Sequence, residues 1–292
     1  MIDFFLRVCY NAYIIYYLSF GSIATIGSVL LPICMKGREM IYDLQKASIG
    51  KRLSAYILDF VIFLMIAVGL AFASSAILRY DSKVDELEGY YREYEERYGI
   101  NIEITDAEFE ALTAEEKAAY DAAQAEFSVD ERVIAVTNLL LNLTLVIVAV
   151  SLFLAFLLLE FIIPLIFKNG QTVGKKIFGI GLMRDDGVKV TPVMMFVRSI
   201  LGKYTVETMV PIFLIILTFV GGAGIIGLAA LVLLLAYDVI LFARTKTHSF
   251  IHDVLAYTVA VDIQSQMIFE TKEEMMAYKN KLHADIVDKT EY

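Results

Sequence analysis

Residues 133–167 read VIAVTNLLLNLTLVIVAVSLFLAFLLLEFIIPLIF, a run whose one formal charge is Glu160. As a straight helix it would be ~52 Å long, against ~30 Å of hydrocarbon in a bilayer. It is therefore expected to cross a membrane and to project past it at its N-terminal end. Three more apolar blocks lie around it. Residues 53–78 are interrupted only by Asp59. Residues 204–243 carry Gly221-Gly222-Ala223-Gly224 near their middle. One helix of that length, ~60 Å, does not fit a bilayer, so two short spans are expected, at 206–221 and 225–243. Residues 8–35 hold no formal charge and lack the basic start and small-residue cleavage site of a signal peptide, so they read as a retained span. The expected fold class is all-α: a polytopic membrane helix bundle of about five spans.

The rest of the composition agrees. Apolar residues make up 58% of the 292, against about 45–50% in an ordinary soluble domain. The net charge of −9 is uneven. Residues 79–132 alone hold 17 acidic and 6 basic residues. An acidic total argues against a nucleic-acid partner. Lys and Arg crowd three segments: 36–52, 168–203 and 244–246. With five spans all three fall on one side, which the positive-inside bias makes cytoplasmic. The N-terminus and the acidic insert 79–132 then lie outside and the C-terminus inside.

Within the insert, tyrosines at mixed i+3/i+4 spacing predict a helix over 83–98 that stops at Gly99. Thr113 and Glu116 form a capping-box pattern ahead of an Ala-rich helix ending near Phe127. The division that follows is an N-terminal span with a basic linker (1–45), a first membrane part (46–78), the acidic helical insert (79–132), a second membrane part (133–262) and a tail (263–292) with a short amphipathic helix. Cys9 and Cys34 would lie ~37 Å apart on one helix, too far to bridge. His248 and His252 lack a third metal donor at suitable spacing, and no cofactor motif is present.

The polar residues inside the spans are the candidate site. Asp59 lies seven residues after Arg52, Glu160 eight before Lys168, Glu207 four after Lys203, and Asp238 six before Arg244. All four carboxylates then lie ~6–12 Å inside one leaflet. Each such charge costs ~2.5–3.5 kcal/mol on insertion scales, so they should face inward and find partners. Two uses remain open. Asp59 and Glu160 could exchange protons for a cation, tuned by Arg52 or Arg198. Alternatively, the acids could neutralise Arg52, Arg198, Lys203 and the basic loop and simply hold the helices in place. His252 and Asp253 are adjacent, so their side chains are expected on different helix faces. Residues 173–182 read as an amphipathic connector and 192–204 as an interfacial helix.

Four stretches together carry a resemblance: 49–59 with Arg52 and Asp59; Gly170-Gln171-Thr172-Val173-Gly174-Lys175; 197–201 with Arg198; and His252-Asp253 in 251–256. With Asp186-Gly187 they resemble the RDD family of bacterial membrane proteins, whose arginine and first aspartate match Arg52 and Asp59, and whose second aspartate matches Asp253. The resemblance covers 49–78 and 161–262. One departure is Tyr257, where the family often has glycine. The resemblance implies a bacterial plasma (inner) membrane protein, proposed in some members to be a cation/proton antiporter and in others an accessory protein. The expected function is cation/proton-linked transport without enzymatic activity. The alternative is a non-catalytic accessory or scaffold subunit. Expected partners are the lipid bilayer, a monovalent cation and a proton, and a second copy or another membrane protein.

Overall fold

The computed structural model describes residues 44–290 except 168, 221, 223 and 246; the expected span 8–35 lies outside them. In chain order the elements are α1 (Ile49–Ile77), α2 (Tyr80–Tyr98), α3 (Asp106–Ala111), α4 (Ala114–Val129), α5 (Glu131–Ile166), α6 (Val173–Ile177), β1 (Ile180–Arg184), α7 (Pro192–Phe219), α8 (Gly224–Arg244), α9 (Ile251–Leu255), β2 (Thr258–Asp262) and α10 (Lys272–Thr290). Helices α1, α5, α7 and α8 are long and apolar enough to cross a membrane. They expose large apolar side chains such as Phe72, Phe219 and Ile225, as a lipid-facing surface requires.

The chain divides into two compact units. Residues 61–156 form one, and the described residues up to 60 together with those from 157 onward form the other. In the first unit, α2 and α4 pack a small aromatic core of Tyr94, Phe127, Ala123 and Val133, with Tyr90, Tyr91 and Tyr98 against it. The Tyr91 and Phe127 rings stack at 4.7 Å, and Tyr94 meets Phe127 edge-on at 5.3 Å. Gly99 caps α2 with φ 69°, and Thr113 with Glu116 forms the expected capping box at α4. Thr105 and Glu108 form a second one at α3.

In the second unit the helices carry a small two-stranded antiparallel sheet, β1 against β2, with Leu182 opposite Ala260. The expected connector at 173–182 is instead one helical turn followed by β1, whose Ile180 and Leu182 are buried with Ala260, Met195 and Ala55. Strands buried on both faces lack apolar–polar alternation, so they left no period-two signal. The expected interfacial helix 192–204 is not separate. It is the first half of α7, which runs unbroken from Pro192 to Phe219. The charges of Arg198 and Lys203 hid its length from a hydropathy reading.

Two helices widen locally into π-turns, over Leu157–Ile162 in α5 and Val197–Met209 in α7. Each contains a glutamate four residues before a proline: Glu160 before Pro164 and Glu207 before Pro211. Proline has no N–H to return to the carbonyl four residues earlier. The freed Glu160 carbonyl instead accepts the Ser199 hydroxyl at 2.6 Å, a bond that joins the two widened segments. In α7 the hydroxyls of Thr205 and Thr208 donate to the carbonyls of Ile200 and Lys203, each at 2.8 Å.

Candidate functional site

The Gly170–Lys175 loop assembles the site, and each of its quoted residues has a separate task. Gly170 takes φ 62°, and a Cβ there would meet Leu182 at 3.0 Å. Gln171 is buried and donates to the Ile180 carbonyl at 2.8 Å, tying the loop to β1. Thr172 accepts from the Lys175 N–H at 3.3 Å, capping α6, and its hydroxyl donates to Asp59. The Gly174 N–H donates to the other Asp59 oxygen at 2.7 Å. A Cβ on Gly174 would lie 2.4 Å from the Ala55 carbonyl oxygen, so only glycine lets α6 approach α1 this closely. Asp59 is thus buried within α1 with its charge spread over a hydroxyl and a peptide N–H.

Glu160 pairs with Lys203 through one oxygen, and its other oxygen faces Lys175 at 4.0 Å. Burial pushes the Lys175 ammonium down to about 8; Glu160 opposes that shift, while Arg198 and Lys203 add to it. Arg198 and Asp253 pair deep in the unit, their side chains 7% and 4% exposed. The Thr258 hydroxyl completes this cluster at 2.9 Å from Asp253. Burial alone would raise the Asp253 carboxyl, but Arg198 and then His252 outweigh it and hold it below the usual carboxylate range.

Helix α9 is held at its start by the two remaining acids. Asp238 accepts from the Ile251 N–H at 3.0 Å, and Glu207 from the His252 N–H at 2.8 Å. The His252 ring lies between carboxylates, with Nδ1 at 2.7 Å from Glu207 and Nε2 at 3.5 Å from Asp253. This corrects the expectation that adjacency would keep His252 and Asp253 apart. The single turn of α9 leans on α7 at Gly202, where a Cβ would meet the His252 backbone at 2.7 Å.

Arg52, expected to tune Asp59 and Glu160, donates instead to backbone carbonyls. Its guanidinium donates to the carbonyls of His248 and Ala260, each at 2.8 Å, and to that of Thr247 at 3.3 Å. It therefore fastens the segment after α8, together with β2, to the start of α1. Its buried Nε has no hydrogen-bond partner among the described residues. Tyr257 adopts φ 52°, in the left-handed region that glycine enters without strain. The Asp186-Gly187 turn follows β1, with Gly187 at φ 91° donating to the Arg184 carbonyl at 3.0 Å.

All seven polar candidates of the spans and the His-Asp motif line one cavity of about 480 Å³: Arg52, Asp59, Glu160, Arg198, Glu207, Asp238 and Asp253. Lys175, Lys203 and His252 join them. Gly170, Gln171, Thr172 and Gly174 do not line it but position those that do. Thr258 has no signal in the sequence and is seen only through Asp253, whereas His252 stands out in the His-Asp motif without its partner Glu207.

No curated protein and no solved structure gives a match. The sequence model of the RDD family matches residues 46–257, well over half of the chain, running through the insert and ending at Tyr257. That span contains Arg52, Asp59 and Asp253 and the whole loop that seats Asp59, and the chain belongs to the RDD family.

Proposed function

We propose that this integral membrane protein exchanges a monovalent cation for a proton through the charged cavity, without enzymatic chemistry. The supporting observation is the balance of the lining. Five carboxylates face four lysine or arginine side chains there. Asp59 and Asp238 accept only neutral donors, a hydroxyl and peptide N–H groups, in the contacts described above. Glu160 and Asp253 are matched by cations and Glu207 by the His252 ring and N–H, so Asp59 and Asp238 are left to hold an ion. A desolvated carboxylate so placed suits a small cation better than a neutral solute. The host is a bacterial plasma membrane in this proposal, with the basic segments cytoplasmic and the insert outside.

The test is purified protein in liposomes loaded with a pH-sensitive dye, given Na⁺, K⁺ or Li⁺ outside. Cation-dependent proton flux that disappears in Asp59→Asn is expected. A second role, as a scaffold or accessory subunit, draws support from the Asp253–Arg198 and Glu160–Lys203 pairs, each of which joins separate elements. Folded protein without flux for any of the three cations would favour that role. Crosslinking through the acidic insert would then seek the partner, a second copy included.

A further inference from the structure

Four cationic side chains line the cavity, and three of them are committed. Arg52 holds backbone carbonyls, Arg198 holds Asp253, and Lys203 holds one oxygen of Glu160. Lys175 is different. Its ammonium lies 4.0 Å from the second Glu160 oxygen, beyond hydrogen-bond range. Its side chain is only 17% exposed. The close approach at Gly174 roots it one residue from the N–H that holds Asp59. It is therefore a loosely paired cation among the carboxylates that the proposed exchange uses.

We infer that the Lys175 ammonium is the cavity's built-in occupant, which an entering monovalent cation displaces as the amine gives its proton to cavity water. The inference rests on the proposed exchange and assigns the exchanged proton to an amine. The balance is simple. One N–H bond breaks, the proton leaves on water, the lone pair stays on nitrogen, and one metal cation takes the vacated charge. The groups acting on Lys175 are Glu160 on α5, Asp59 on α1, Arg198 and Lys203 on α7, and Asp253 on α9. Burial and the two neighbouring cations bring the ammonium down to about 8, within reach of physiological pH. An arginine at this position would stay charged and block the exchange.

The test uses the full-length protein in detergent. Amines are pulse-labelled with acetic anhydride across pH 6–10, and Lys175 is read by peptide mass spectrometry with exposed Lys176 as internal standard. In choline chloride the Lys175 midpoint is expected near 8. In NaCl, KCl or LiCl, at least one should move it down by about one unit, a tenfold change in the competing equilibrium. A midpoint that none of the three cations moves overturns the inference. In liposomes Lys175→Ala should lose both the cation-dependent proton flux and its rise with pH. A variant that keeps the wild-type pH profile overturns the role of Lys175 and leaves the exchange standing. A wild type without flux overturns both.

Discussion

The insert and the cavity use the same charged side chains in opposite ways. In the insert, pairs are wet, whether they lie along one helix or join two, as Arg97 joins Glu126 at 2.5 Å. Lys83 meets Glu86 at 2.7 Å, three residues on, and Arg97 meets Glu93 at 2.9 Å, four residues back. Arg97 and Glu93 are 46% and 38% exposed. Around the cavity, partners come from distant sequence and are dry: Asp59 with Thr172, Glu160 with Lys203, Arg198 with Asp253. Exposed pairs are worth ~0.2–1 kcal/mol, whereas removing one member of a buried pair costs ~3–5 kcal/mol. Ionic contacts in the first region are exposed and individually weak; in the second, burial makes losing one partner costly.

The sharpest way to break this contrast is Arg198→Ala. It strands Asp253 in the interior and should destabilise the protein by about 3–5 kcal/mol in a detergent unfolding titration. A loss below about 1 kcal/mol would mean that water reaches the pair and the contrast is false. Gly174→Ala comes next, because its methyl group has no room against the Ala55 carbonyl. A cost of about 1–3 kcal/mol is expected. The flux lost with it should match that of Asp59→Asn.

In the insert, Thr113→Ala removes one capping box and should cost about 1 kcal/mol of local stability, read by amide exchange over α4. Liposome flux should be unchanged. A flux defect in that variant would tie the insert to the cavity. Tyr257→Gly is expected to act in the opposite direction, raising stability by about 0.5–1 kcal/mol as the left-handed backbone is relieved.

Proton linkage sharpens the contrast further. Lys175 is held at about 8 in the folded chain, against 10.5 for an ordinary lysine. Between those values the unfolded chain binds more protons, so stability rises with pH there. The difference between wild type and Lys175→Met should therefore climb from pH 8 to pH 10.5. A falling difference would place the ammonium in a stabilising pair rather than a desolvated pocket. At the acid end, Asp253 is lowered in the fold, so its contribution is present above the ordinary carboxylate value and disappears as pH falls through its own.

Hydropathy placed Asp59, Glu160, Glu207 and Asp238 at one depth, and the cavity does gather them. It could not tell which acid meets which base. Arg52 illustrates the limit: spacing put it on the Asp59 face of α1, yet its donors are taken by carbonyls nearly 200 residues away in sequence. β1 and β2 were illegible because neither strand is amphipathic and their pairing spans the whole of α7 and α8.

Hydropathy located four apolar helices among the described residues, though not the full length of α7, and with them the helical insert and the set of buried charges. Each of these follows from local hydropathy, capping and the cost of charge in lipid. The pairing came from the fold. A buried ion's partner is set by three-dimensional approach, here by glycines 174 and 202, which admit backbone contacts, and by prolines 164 and 211, which open the helices beside the two glutamates.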